Sequence, residues 1–232
     1  MTVNRKKNQE LEILSGPVPT STTAHTIDFN KTNIKEYADF LAMTIEDVLT
    51  QRKCADLLKL VSPPNGTAWP PATVTVYNGS QILDSKSRFS DRIFYTSLIP
   101  PEIITLKNAP AITGQFPIIH ELRFLKYGPG QYFRPHCDGH FVDEDGAESF
   151  LTVHLYLNGG NDVVEGGATR FAVDFNNPDA RTLDINPKAG SLVIFQQKDM
   201  NHEGVEVMRG TKYTMRTDVM YKKVGMISQL GH

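Results

Sequence analysis

The chain has 232 residues, 40% hydrophobic and 22% charged, enough for one substantial core with an appended element rather than two independent domains. A formal net charge of -2 removes the electrostatic reason to expect nucleic acid or an anionic membrane as partner, and two cysteines, Cys54 and Cys137, are too few for a disulfide framework. No stretch reads as a signal peptide or a membrane-spanning helix, so a cytoplasmic, reducing location is the default expectation.

In chain order, residues 1–30 read as a flexible lead-in, because Ser, Thr, Pro and Gly crowd positions 15–26. Residues 31–117 read as a helical N-terminal support region. Within it Ile34, Tyr37, Ala38, Leu41, Ile45, Val48 and Leu49 recur at helical spacing, with Thr32 or Asn33 as N-cap, and predict an amphipathic helix over 33–49. A second, short helix is expected over 54–61, stopped by Pro63 and Pro64. Segments 74–77 and 92–98 are apolar enough for a strand or a short helix, and periodicity leaves that choice open.

From residue 118 to 232 the period becomes two, and this core is expected to form one compact unit with 31–117. Over 150–158, Leu151, Val153, Leu155 and Leu157 share one strand face, and Thr152, His154 and Tyr156 the other, so one side packs on apolar neighbours while the other lines a polar cavity. Segment 191–196 is a second strand, entered by the turn Pro187-Lys-Ala-Gly190. Over 212–221, Lys212, Thr214, Arg216 and Asp218 alternate with Tyr213, Met215, Thr217 and Val219. Several short strands with a polar cavity face predict a mainly β chain with a helical N-terminal part, folded as a two-sheet jelly roll.

His136-x-Asp138, followed at a distance by His202 and then Lys212, carries the chemistry. Two imidazoles and one carboxylate on one side of a metal leave the opposite positions open, the arrangement of non-haem Fe(II) oxygenases. The surrounding text is Leu122-Arg-Phe-Leu-Lys-Tyr127-Gly-Pro-Gly130-Gln-Tyr-Phe-Arg-Pro-His136-Cys-Asp138, Leu155-Tyr156-Leu157-Asn158, Gly166-Gly167-Ala168-Thr169 and His202-Glu-Gly-Val-x-Val-x-x-Gly210-x-Lys212-Tyr-x-x-Arg216. In this order it resembles the prolyl 4-hydroxylase-like branch of the Fe(II)/2-oxoglutarate-dependent dioxygenases, over about residues 118–221.

That resemblance implies iron on His136, Asp138 and His202, and 2-oxoglutarate whose far carboxylate meets Lys212, with Thr214, Tyr127, Thr169 and Tyr156 as hydroxyl donors. It also implies the double-stranded β-helix (jelly roll/cupin-like) fold, O2 as cosubstrate, ascorbate as an optional reductant, and hydroxylation of an unactivated C–H bond with release of succinate and CO2. Each residue has a plainer reading beside this one. His136 and Asp138 would be a chance pair on a polar surface run, His202 a solvated turn histidine, Lys212 an edge-strand lysine, and the tyrosines and threonines ordinary core and strand residues. His154, on a polar strand face, is the rival to the three ligands.

Arg216, Asp218 and His154 line the expected acceptor side. Enzymes of the branch that act on peptides tend to carry an aromatic residue where Asp218 stands and an arginine just before the strand that here begins Ser149-Phe150, and both departures leave the iron and 2-oxoglutarate positions intact. The expected acceptor is therefore a small polar molecule or an isolated side chain, with peptidyl proline as the alternative. A non-catalytic metal- or ligand-binding cupin-like module and a zinc hydrolase are the readings of other classes, the first having no use for Lys212 and the second lacking a marked general base. The acidic loop at 143–148 lacks the spaced oxygens of a calcium site and reads as a solvated lid, and the glycine pairs at 159–160 and 166–167 as turn formers.

Overall fold

The computed structural model describes residues 19–62 and 122–221 except 143, 145, 161 and 178, and, by backbone alone, the strands at 75–78, 81–84, 93–96 and 118–119. The strands in chain order are β1 (Thr23–Thr26), β2 (Ala42–Glu46), β3 (Thr75–Asn78), β4 (Gln81–Asp84), β5 (Ile93–Thr96), β6 (Ile118–Ile119), β7 (Leu122–Tyr127), β8 (Phe133–His136), β9 (Glu148–Tyr156), β10 (Val164–Gly166), β11 (Thr169–Ala172), β12 (Thr182–Ile185), β13 (Leu192–Gln196), β14 (His202–Gly204), β15 (Val207–Gly210) and β16 (Lys212–Tyr221). One α-helix, α1 (Gln51–Val61), lies between β2 and β3.

A major sheet runs β1-β2-β13-β9-β16-β7-β5, with β6 also on β16, and a minor sheet runs β12-β11-β14-β8. The pairs β10-β15 and β3-β4 stand apart. Every pairing is antiparallel. This is the expected jelly roll, and β16 keeps the bounds read from alternation. Between the sheets, Tyr156 from β9, Val193 and Phe195 from β13 and Phe171 from β11 meet Phe29, Ile34 and Tyr37 in one apolar cluster. The outer face of the major sheet is closed by α1, whose Cys54, Leu57 and Val61 pack on Leu122, Phe124, Leu155, Leu157 and Met215. The helix begins where Thr50 accepts from the amide of Lys53 at 3.2 Å, one turn earlier than the apolar spacing marks.

The amphipathic helix expected over 33–49 does not form. Lys35–Tyr37 is a single 3-10 turn, and Ala42–Glu46 is β2. The apolar spacing was real, but it arises from two tight turns that bury Phe29, Ile34 and Tyr37, followed by a strand. β-branched Thr44 and Ile45 favour extended backbone, and β2 pairs on both sides, with β1 and β13, so ladder hydrogen bonds outweigh local helical preference. The lead-in also ends earlier than expected, since β1 is paired from Thr23 and Phe29 is buried. Its first 18 residues, Trp69, His120 and His232 lie outside the described residues; segments 74–77 and 92–98 contain β3 and β5.

The predicted turn before β13 depends on Gly190. Its φ is +79°, and a Cβ there would stand 2.0 Å from the Leu49 carbonyl oxygen, whose neighbours Val48 and Leu49 donate their amides to the Gly190 carbonyl. This contact fastens the segment leading into α1 to the major sheet.

Candidate metal centre and cosubstrate pocket

His136 ends β8 and His202 opens β14, and the two are direct partners in the antiparallel register of the minor sheet. Their rings lie 4.3 Å apart between centroids. Asp138 follows His136 by two positions, with its Oδ1 3.3 Å from His136 Nε2 and its Oδ2 3.7 Å from His202 Nε2, while Cys137 between them is exposed. One ligand atom from each of the three residues falls within 4.8 Å of the others, a spacing that can hold a metal ion. The rival His154 is not part of this cluster, His25 is exposed, and exposed His140 faces Glu148 at 3.4 Å.

Each imidazole is already oriented for coordination. His136 Nδ1 sits 2.7 Å from the Arg134 carbonyl and His202 Nδ1 3.1 Å from the Met200 carbonyl. A carbonyl only accepts, so both Nδ1 atoms carry the proton and both Nε2 lone pairs are left for the metal. His202 is packed against Phe195 and Phe171, and burial pushes its pKa down to about 4. Proton competition at this nitrogen thus begins well below the usual histidine range. Burial alone would raise the Asp138 pKa, but Arg216 together with His202 and His136 holds it well below the usual carboxylate range. The donor set of two neutral imidazoles and one carboxylate suits Fe(II).

Farther along the major sheet, the inner face changes character. Lys212, at the start of β16, is buried and lies directly across from Tyr127 of β7. Its ammonium lies 5.2 Å from the Tyr127 ring centroid and 5.8 Å from that of Tyr156, and among the described residues no carboxylate pairs with it. Burial pushes the amine down to about 7. Two positions on, the Thr214 hydroxyl is fully buried without a hydrogen-bond partner. Across to the minor sheet, Tyr156 donates its hydroxyl to Thr169 Oγ1 at 2.7 Å, which leaves the Thr169 hydrogen free to point elsewhere. A buried cation without its anion, beside hydroxyls with unused capacity, fits a dicarboxylate.

Between this pocket and the three candidate ligands stand His154 and Arg216, neighbours across β9 and β16. His154 Nε2 and Arg216 Nε are buried without partners. Burial, then the charges of Lys212 and Arg216, keep His154 neutral, far below the usual histidine pKa. Arg216, read from sequence as an acceptor contact, lies 3.0 Å from Asp138 Oδ1 and 3.4 Å from Asp218 Oδ1. Asp218 is almost fully buried and also accepts from Gln197 at 2.9 Å. Gln197 and Ser149 were not singled out from sequence; a polar residue closing the apolar run of β13 was the available signal for Gln197.

Residues 122–217 match the model of the 2OG-Fe(II) oxygenase superfamily. Prolyl 4-hydroxylase 1 of Arabidopsis thaliana is 24% identical over 199 residues, which cover 74% of this chain. The chain spans 66% of that curated relative's length, just under two thirds. The 2OG complex of the viral collagen prolyl hydroxylase from Paramecium Bursaria Chlorella virus-1 shares the fold, with a TM-score of 0.51 at 18% identity over 78% of this chain and 96% of its own. A Pseudomonas putida prolyl-4-hydroxylase is 27% identical over 46% of this chain and 53% of its own, with a TM-score of 0.36. The family match and the Arabidopsis relative bear out the resemblance read from the motifs, to a 2OG-Fe(II) oxygenase of the prolyl 4-hydroxylase-like branch. Fe(II), 2-oxoglutarate and O2 come with that family. Among the described residues no helix is long and apolar enough to cross a membrane.

Proposed function

We propose that this chain is an Fe(II)- and 2-oxoglutarate-dependent dioxygenase that hydroxylates an unactivated C–H bond of a small polar molecule or side chain, releasing succinate and CO2. The observation that carries the reading is Lys212, buried without an acidic partner on the same strand face as Arg216, which touches the metal-ligand candidate Asp138. A non-catalytic module of this fold has no need of such a cation.

His136 Nε2, His202 Nε2 and one Asp138 oxygen would hold the metal, and Lys212, Thr214, Tyr127 and Thr169 would hold the far carboxylate of 2-oxoglutarate, with Tyr156 turning Thr169 into a donor. When bound, iron would activate O2, the oxidant, with 2-oxoglutarate giving two electrons as it is decarboxylated to succinate and CO2. The residues of the chain supply position, charge and dryness. Phe171 and Phe195 wall off His202 from solvent, and the Lys212 charge repays its burial when the dicarboxylate arrives. On the acceptor side, Arg216 and His154 offer unused N–H and ring nitrogen atoms, and Asp218 steadies Arg216. These polar groups favour a small polar acceptor.

A peptide acceptor is the second reading, and one feature favours it. His140, Phe150 and Tyr221 form a partly exposed row with ring centroids 5.7 and 5.6 Å apart, two residues along the chain from Asp138 and from Thr152 respectively for the first two. Aromatic faces suit proline-rich segments. The test is succinate formation from 2-oxoglutarate with Fe(II), alone and with a pool of amino acids and small metabolites or a panel of proline-rich peptides. Stimulation by a small polar compound supports the first reading, and hydroxylation of a peptide prolyl residue with no small molecule turned over replaces it by the second. Absence of succinate under every condition overturns both.

A further inference from the structure

We infer that Thr152 and Gln197 are positioning residues for Asp138, joined in a hydrogen-bond relay whose direction is fixed at both ends; this rests on the reading of Asp138 as a metal ligand. Thr152 Oγ1 lies 2.6 Å from Asp138 Oδ2, and the threonine is fully buried on the inner face of β9. A hydroxyl at that distance can donate to the carboxylate only if its single hydrogen is not spent elsewhere. The surrounding groups guarantee this.

The Phe141 amide donates to Ser149 Oγ at 2.9 Å, and Ser149 in turn donates to Gln197 Oε1 at 2.7 Å. With its oxygen engaged there, Gln197 presents its NH2 to Thr152 Oγ1 at 3.3 Å and to Asp218 Oδ1 at 2.9 Å. The reverse amide orientation would set its oxygen against the Asp218 carboxylate, so the acid at the far end of the inner face of β16 locks the amide. Thr152 therefore accepts from Gln197 and gives its hydrogen to Asp138. On the other side, Arg216 donates to Asp138 Oδ1 at 3.0 Å and to Asp218 Oδ1 at 3.4 Å, which closes a ring of five side chains.

The ring grips Asp138 through both oxygens, one by a neutral hydroxyl and one by a guanidinium, and so fixes the plane of the carboxylate relative to the two imidazoles. Each oxygen keeps a lone pair for a metal. Groups that orient a ligand in this way commonly govern metal affinity as strongly as a change of the ligand's own hydrogen bonding would suggest, by about 10- to 100-fold. Asp218, expected from sequence on the acceptor wall, here serves the metal side through Gln197.

The test is Co(II) binding to the full chain, followed by calorimetry and by the visible spectrum of the bound ion, with metal-free melting as the control for folding. Thr152→Val, which keeps shape and removes the hydroxyl, is expected to weaken Co(II) binding about 10- to 100-fold, and Thr152→Ser to restore most of it. Gln197→Leu is expected to weaken binding in the wild-type background and to add much less in the Thr152→Val background, because it acts mainly through Thr152 and only at the far side of the ring through Asp218 and Arg216. Should Thr152→Val fail to fold, loss of affinity in Gln197→Leu against retention in Thr152→Ser carries the test. Unchanged affinity in the folded Thr152→Val and Gln197→Leu variants, or strictly additive losses, overturns the relay while leaving the metal site standing. Failure of the wild-type chain to bind Co(II) or Fe(II) overturns the metal-site reading itself, and the relay with it.

Discussion

Lys212 should make the proposed cosubstrate pocket sensitive to pH in a way that can be measured without turnover. Burial lowers the amine from 10.5 to about 7, and at 1.36 kcal/mol per pH unit this is a charge burdened by about 5 kcal/mol in the ligand-free fold. Between pH 7 and 10.5 the folded, ligand-free chain holds fewer protons here than the unfolded chain, so this residue makes stability rise with pH across that window; below pH 7 the full penalty is present. A carboxylate bound beside Lys212 reverses the preference and draws the proton back. Binding of 2-oxoglutarate above pH 7 should therefore take up close to one proton, and its Kd should rise toward tenfold per pH unit above about pH 8. The assay is calorimetric titration of 2-oxoglutarate into the Mn(II)-loaded chain from pH 6.5 to 9.5, in paired buffers of different ionisation enthalpy. Lys212→Arg, charged throughout, should lose the pH dependence. A wild-type affinity that stays flat from pH 7 to 9.5, with no proton uptake, would refute the placing of the far carboxylate at Lys212.

Other expectations follow from the same geometry. Asp138→Ala should abolish Mn(II) binding and also lower the melting temperature, because Arg216 loses its nearest carboxylate at 3.0 Å. His202→Ala should likewise abolish metal binding, read in the same titration. With His202 at about 4 in the fold against 6.5 when unperturbed, the folded metal-free chain holds fewer protons than the unfolded chain between these values. Its stability should thus fall by about 3 kcal/mol as pH drops from 6.5 to 4, and urea titrations of His202→Asn should lack that component. Gly190→Ala, forced to carry a side chain at φ +79° and against the Leu49 carbonyl, should cost at least about 1–3 kcal/mol in the same unfolding assay; a neutral result would show that the turn yields.

The barrel and the metal cluster were legible because each announces itself locally. Alternation in β9 and β16 favours one register over most of their length, which shifts only between Val219 and Met220, and His136-x-Asp138 places two ligand candidates at a single strand end. Lys212 was legible for the same reason, since its strand face followed from its neighbours. The N-terminal segment was not, because Ile34 and Tyr37 are buried by tight turns whose spacing mimics a helical turn, and β2 is decided by its partners β1 and β13, far away in sequence. Gln197 was invisible on similar grounds. Its importance comes from three side chains contributed by other strands, Ser149, Thr152 and Asp218, which no spacing in one segment encodes.

β16 is paired with β7 over Lys212–Arg216 and with β9 from Thr214 onward, so the stretch from Lys212 to Arg216 is tied to the major sheet throughout. A strand advances about 3.3 Å per residue, so Lys212 and Arg216 are separated by about 13 Å of backbone as on a ruler. On the reading proposed for Lys212, this fixed spacing sets a length standard for the oxoacid: a homologue one methylene longer or shorter would meet the same ammonium and the same three candidate ligands, and must bend or fall short. It also separates what selection can alter. Exchanges near the Asp218 end would disturb the candidate ligand Asp138, because Arg216 touches both carboxylates, whereas the Lys212 end stays out of their reach. On that reading, a lineage built on this strand could diversify its acceptors while keeping one dicarboxylic cosubstrate.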